Sequence, residues 1–289
     1  MPTSQAKISS LSAEFGYATD KGKVRSNNED SVVVSDELNL AAVADGMGGH
    51  NSGELASNMA ARTLVEKIAA IHAGKLSAPV TDTRLSRQAN DLIFAATAAN
   101  AKIFETSKIP DNKGMGTTLS AVLFHPTGAA IAHIGDSRIY VLRKGKLVQI
   151  TQDHSLVMEQ VRKGIITKEE AEASTMQNIL TRAMGIHKNI RFDVGDVTLS
   201  PGDRLLLCTD GLFKAVKEEL LPSILSSSDS PQKIAAGLVR LANDNGGPDN
   251  ISVVVVTVGK STVFSRLKKA IRKARRVLSG ETDGETRQG

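Results

Sequence analysis

Apolar positions fall into two registers along the chain. At helical spacing, Leu55, Met59, Leu64, Ile68 and Ile71 mark one helix from about Ser52 to Ala73, and Leu85, Leu92, Ala96, Ala99 and Ile103 mark a second from about Thr83 to Thr106. Around them lie short β-rich runs: SVVV at 31–34, LAAVA at 40–44, TLSAVLF at 118–124 and AAIAHI at 129–134. RIYVLRKGKLVQI follows, its KGK bend reading as a hairpin, and then RFDVGDVTL, RLLLCT and ISVVVVTV. Shorter helices are predicted near 154–164, 216–227 and 231–244. Strand runs outnumber the crossover helices that a doubly wound parallel sheet needs, so the pattern favours a layered α+β domain with mostly antiparallel sheets.

Between Leu156 and Asn178 the pattern turns polar, and Thr167 and Glu170 stand at capping-box spacing ahead of a short helix. This insertion, 156–178, reads as a lid or as a solvated pair of surface helices. From Val263 to Leu278 the apolar residues share one face and seven Lys and Arg fill the opposite one. Such a helix suits an anionic membrane surface, an acidic partner, or packing on the domain with its charges solvated. The expected organisation is a lead at 1–14, one domain at 15–259, and a basic amphipathic tail at 260–289.

Composition sharpens this picture. A chain of 289 residues with 40% hydrophobic and 23% charged residues is ordinary for one globular domain. Its single Cys, Cys208, excludes an intrachain disulfide framework and a thiolate-cluster zinc site, and fits a reducing compartment. No run approaches the ~20 apolar residues of a membrane span, and the opening MPTSQAKISS is too polar for a secretory signal. A cytoplasmic monomer is expected, with the tail as a means of peripheral attachment at the inner membrane. The net charge of +5 is unevenly spread: residues 1–259 hold 27 basic against 28 acidic residues, a net of −1, and the tail holds the excess. With a neutral body and a tail nearly free of aromatics, nucleic acid is not an expected partner.

The candidate chemistry lies in a recurrence. Apolar runs end in Asp beside Gly at Asp45–Gly46, Gly135–Asp136 and Asp210–Gly211, while Asp249 precedes the last run and Asp30 ends RSNNED before a strand. One Asp-Gly is an ordinary turn signal. A turn, however, has no reason to avoid Asn and Ser at every such place, whereas a carboxylate cluster needs the charge. Carboxylates sharing a cleft require cations to offset their repulsion, and an oxygen-only donor set without clustered His or Cys points to Mg²⁺ or Mn²⁺. Two such ions about 3.5 to 4 Å apart can activate a water for in-line attack on a phosphoryl group. Arg25, five residues before Asp30, suits bidentate binding of phosphate oxygens.

The runs VRSNNED, VADGMGGH, GMGTTLSAVL, AHIGDSRIYVLR, TQDHSL, LTRAMG, LLLCTDGLF and GGPDNISVVVV occur in the order seen in metal-dependent serine/threonine protein phosphatases of the two-C (PPM) type, which this chain resembles from about residue 15 to 258. The resemblance implies a four-layer α-β-β-α sandwich, two antiparallel sheets flanked by helix pairs, with the metal cleft at one end. It implies a hydrolase acting on phosphoserine and phosphothreonine of proteins by attack of a metal-bridging hydroxide, with two Mn²⁺ or Mg²⁺ ions and a third, weaker site. Asp45 matches the ligand shared by both ions, the Gly46 carbonyl a ligand of the first, and Asp210 and Asp249 ligands of the second. Glu29 and Asp30 match acids acting largely through metal-bound water, Asp136 the acid of the third site, and Arg25 the phosphate-binding Arg. Phosphoproteins are the implied substrates and a bacterial eukaryotic-like Ser/Thr kinase the implied antagonist.

Two departures stand out. Animal members carry a His directly after the Asp-Gly pair as proposed general acid; here Met47 takes that place, leaving His50, His154 or a metal-bound water as candidates. The late lid reads AEASTMQN where bacterial members often carry a His-Pro-Gln-Arg-like run. Elsewhere ordinary roles are expected: packing for His72, His125, His133 and Cys208, backbone hydrogen bonding for Asp153, and support behind the cleft for Thr117 and Thr118. A pseudophosphatase or binding module is the competing class. Retention of Asp30, Asp45, Asp210 and Asp249 argues against it, because their repulsion costs stability that only catalysis justifies.

Overall fold

The long apolar runs are strands covered on both faces, which is why they read as continuous rather than alternating. The computed structural model describes residues 10–49 and 51–261. In chain order these form strands β1 (Leu11–Asp20), β2 (Asp30–Ser35) and β3 (Leu40–Met47), helices α1 (Ser52–His72) and α2 (Arg87–Thr106), and strands β4 (Gly116–Thr117), β5 (Leu119–His125), β6 (Gly128–Ile134), β7 (Arg138–Arg143) and β8 (Lys146–Gln149). Helices α3 (Leu156–Arg162) and α4 (Lys168–Glu172) follow, then β9 (Asp193–Thr198), β10 (Arg204–Cys208), α5 (Asp210–Ala215), α6 (Leu221–Leu225), α7 (Pro231–Asp244) and β11 (Ile251–Lys260).

One sheet has the order β1-β11-β10-β7-β8 and the other β2-β3-β5-β6-β9, with β4 paired to β3. All pairings are antiparallel. Three apolar layers hold them. Leu40, Ala42 and Ala44 of β3 face Ala56, Ala60, Leu64 and Ile68 of α1 and the apolar side of α2, while Ala41 and Val43 face the other sheet. On β10, Leu205 and Leu207 point between the sheets, and Leu206 and Cys208 point to the layer of α5, α6 and α7. The result is the α-β-β-α sandwich that the resemblance implies.

Several boundaries differ from expectation. β1 was not visible in the pattern because most of its residues are only half-buried at a sheet edge, yet it pairs with β11 from Leu11↔Lys260 to Asp20↔Ile251. The ordered domain therefore starts before residue 15. α2 starts late because Ser86 caps it, its hydroxyl accepting from the Ala89 amide, while Asn90 Oδ1 accepts from the Thr81 and Asp82 amides and folds that segment into a turn. The helix expected over 216–227 is a 3₁₀ turn at Glu218–Leu220 followed by α6, and α5 was not foreseen. The capping box at Thr167 and Glu170 is formed. The amphipathic tail helix, most of the lead and His50 lie outside the described residues.

Candidate active site

Asp30 opens β2 and stands opposite Asp45, near the end of β3, so both carboxylates rise from one face of an antiparallel pair. Asp45 is held from behind: its amide donates to Thr118 Oγ1 and its carbonyl accepts from Thr117 Oγ1 and the Thr118 amide, all at 2.9 Å. Thr118 Oγ1 also lies 2.7 Å from Ser137 Oγ, which ties this strand end to the turn carrying Asp136. Gly46 is required by packing: a Cβ there would sit 2.0 Å from the Gly53 carbonyl in the first turn of α1. The glycine thus serves the packing of α1 against β3, beyond the carbonyl role that the resemblance implies.

The other sheet supplies the remaining acids. Asp210 is the first residue of α5, and Thr209 before it donates from Oγ1 to Asp30 Oδ2 at 2.8 Å, linking the two sheets inside the cleft. Asp249 precedes β11 and is gripped twice. Arg25 meets it through Nε at 2.8 Å and Nη2 at 3.0 Å, and Lys214 reaches its Oδ2 at 3.2 Å. The same Lys214 ammonium lies 2.5 Å from Asp210 Oδ2. Asn250 fastens the 21–29 loop over this corner: its Oδ1 accepts from the Glu29 amide, and its Nδ2 donates to the carbonyls of Lys21 and Asn27. Arg25 keeps 53% of its side chain exposed, at the rim.

Asp30 opposes Asp45, Thr209 beside Asp210 bonds Asp30, Lys214 spans Asp210 and Asp249, and Ser137 beside Asp136 bonds Thr118 behind Asp45, so the structure gathers the five aspartates at one end of the two sheets. Burial first, and then the neighbouring carboxylates, hold Asp45 well above the usual range. Burial pushes Asp30 up to about 7, against the hydrogen bonds from Ser252 and Thr209. Burial, with Asp210 and Asp153 adding to it, pushes Asp136 up to about 8. For Asp249 burial acts upward as well, but Arg25 and Lys214 outweigh it and hold the group below its ordinary value.

The donors fit hard divalent cations. They are all oxygens, and Asp30 Oδ1 and Asp210 Oδ1 are buried with no hydrogen-bond partner, a costly state for a carboxylate that a cation would relieve. Among the described residues no three acidic, His or Cys side chains stand in ion-holding geometry, and Asp210 and Asp249 are paired with Lys214 and Arg25. A groove of about 580 Å³ at the start of α1, lined by Ser52, Glu54, Asn58, Arg62 and Asp111 among others, includes none of the five aspartates.

His154 is placed differently from a general acid. It is 0% exposed; its Nδ1 accepts from the Gly135 amide at 3.0 Å, and its Nε2 lies 3.1 Å from Asp193 Oδ2. Both ring nitrogens are engaged, so neither faces a leaving group. Its backbone amide donates to the Gly135 carbonyl, and its carbonyl accepts from the Thr181 amide at the end of the 156–178 insertion. Asp153, expected to bond backbone, instead receives the Arg138 guanidinium in bidentate fashion. His133 is buried as expected, and burial pushes its imidazole down to about 4, whereas His72 is exposed. Cys208 is buried, its thiol pushed up to about 12 by that burial. Thr209, Lys214 and Asn250 are the site residues that the sequence reading missed. Only Lys214 left a signal, its place one helical turn after Asp210.

The model of the family described as protein phosphatase 2C matches residues 21–244. A serine/threonine phosphatase, stp, of Listeria welshimeri is 39% identical over 249 residues, covering 85% of this chain and 95% of the relative. The protein phosphatase PhpP of Streptococcus pneumoniae is 36% identical over 253 residues, covering 86% and 98%. Among solved structures, the catalytic domain of the serine threonine protein phosphatase PstP in complex with two manganese ions superposes with a TM-score of 0.74 at 37% identity, covering 86% of this chain and all of that one.

Proposed function

The chain belongs to the protein phosphatase 2C family, and from that premise we propose that its five-aspartate cleft is the centre at which phosphoserine and phosphothreonine of proteins are hydrolysed with Mn²⁺ or Mg²⁺. The observation that carries this reading is the meeting of Asp30, Asp45 and Asp136 from one sheet with Asp210 and Asp249 from the other, with two buried carboxylate oxygens left without partners.

Asp45, the Gly46 carbonyl, Asp210 and Asp249 would hold two ions, with Asp30 and Glu29 contributing from the facing strand and Asp136 serving a third. When bound, the ions supply Lewis-acid activation of water and neutralise charge on the transferred phosphoryl group. The protein's own groups do the rest. Thr117 and Thr118 fix Asp45, and Thr209 orients Asp30, so the acids are preorganised from behind. Arg25 stands at the rim with its planar fork on Asp249, and we assign it to the phosphate oxygens, which it would take in bidentate fashion once ions hold Asp249 in its stead. His154 positions the Gly135–Asp136 turn and leaves leaving-group protonation to another group.

Hydrolysis of p-nitrophenyl phosphate and a phosphothreonine peptide, in Mn²⁺ and in EDTA, tests this. Turnover is expected to need the metal and to fall about 10³-fold or more in Asp210→Asn; equal turnover in EDTA would overturn the two-ion reading. The wider role we propose is opposition to a Ser/Thr kinase, by a monomer. No helix among the described residues is long and apolar enough to cross a membrane. The basic tail keeps its reading as a dock for an acidic partner or an anionic membrane. Co-sedimentation with anionic liposomes, with and without residues 260–289, decides the membrane option.

A further inference from the structure

Lys214 is a charged group among the described residues of the cleft that neither the two-ion chemistry nor phosphate binding uses. It sits on α5 four residues after Asp210, and pairs at that spacing on an exposed helix contribute little. This pair is of another kind. The Lys214 side chain is 21% exposed, its ammonium lies 2.5 Å from Asp210 Oδ2, and it also spans to Asp249 Oδ2 at 3.2 Å, a residue that reaches the cleft from beyond α7. It therefore bridges two acids that we read as ligands of one divalent ion. Asp210 Oδ1 is buried without a partner beside it.

We propose that Lys214 is an internal counter-ion, which takes a divalent cation's place between Asp210 and Asp249 in the metal-free protein and must be displaced when that cation binds. The inference rests on the reading of Asp210 and Asp249 as metal ligands. Three features support it. The ammonium is a compact charge on a flexible four-carbon stem, able to leave without moving the backbone. Its two acceptors come from separate chain segments, as the ligands of an ion do. Lys214 and Arg25 also offset only part of the negative charge that the cleft's acids can carry, which leaves an attraction for a divalent cation in place of the single charge of Lys214.

The consequence is intramolecular competition. An ion that binds only the lysine-out state loses affinity in proportion to how rarely that state is populated. With a minor state of ~0.1–10%, the weakening is about tenfold or more. The same lysine stabilises the metal-free cleft.

Calorimetric Mn²⁺ titration and thermal unfolding of the full chain and of Lys214→Met, a substitution of similar length without charge, test this. In Lys214→Met the weaker Mn²⁺ step is expected to tighten about tenfold or more. The variant should unfold at lower temperature than wild type in EDTA and regain or exceed the wild-type value in Mn²⁺. Lys214→Arg, which keeps the charge, should retain weak binding, and Lys214→Gln gives the same reading as Met if the latter does not fold without metal. Equal Mn²⁺ dissociation constants in the wild type and the uncharged variants, or equal tightening in Lys214→Arg, would overturn the counter-ion role. Absence of Mn²⁺ binding by the wild type would instead overturn the metal reading on which it rests.

Discussion

Asp30 and Asp136 make the metal-free cleft sensitive to pH in a direction that can be worked out. Both are raised in the folded protein, to about 7 and about 8, by burial first and by neighbouring acids after it. Each therefore binds its proton more tightly in the folded chain than in the unfolded one. The associated stability is fully present below the unfolded aspartate value near 4 and is lost as pH rises through 7 to 8. In EDTA the melting temperature is expected to fall between pH 5 and 8.5, and to fall less steeply in Asp30→Asn. A flat EDTA profile in the wild type would contradict the burial assigned to these groups. At the same scale, Thr209→Val removes the Thr209 donor to Asp30 Oδ2 and the acceptor of the Ser252 amide at unchanged side-chain volume. A loss of about 1–3 kcal/mol is expected, measurable by urea unfolding in the absence of metal.

Elements bring these residues together, and the turn between β6 and β7 shows how. Gly135, at φ +104°, accepts there a conformation that side chains avoid, and His154 closes around it with one bond from each partner's amide. The residue after it is Asp136, and the chain after His154 runs into α3 and the 156–178 insertion. One buried imidazole thus couples the turn carrying Asp136 to the base of that insertion. His154→Ala should lower both kcat and the melting temperature, while His154→Asn, whose Oδ1 can accept from the Gly135 amide, should recover most of kcat. Equal loss in both variants would assign His154 to packing alone. The capping box at Thr167, legible from two residues three apart, is a local matter and was read correctly. β1 was not, because a half-buried edge strand carries no strong alternation and owes its existence to the length of β11 beside it.

The molecule as a whole divides its charge between a body of net −1 and a basic tail. The body's near balance conceals five carboxylates gathered at one end of the sandwich, so divalent cations should stabilise the fold far more than salt does. A ligand at about 100 times its dissociation constant, bound only to the folded chain, adds about 2.7 kcal/mol. A rise of several degrees in melting temperature is expected on adding Mn²⁺ to EDTA-treated protein, with none from NaCl at equal ionic strength. By itself the sequence determined the two long helices, most of the strands and a layered antiparallel α+β class, and singled out five aspartates beside apolar runs, while the four-layer sandwich followed from the family resemblance. Periodicity along the chain and acids recurring at the ends of apolar runs carry the former, and both are local signals. Only the tertiary structure decided that Thr209 holds Asp30, that His154 is buried with both nitrogens in use, and that Lys214 lies between Asp210 and Asp249. Those contacts join residues far apart in the chain, and whether an imidazole is an acid or a brace, or a lysine a surface charge or a counter-ion, depends on which groups face it once both sheets are stacked.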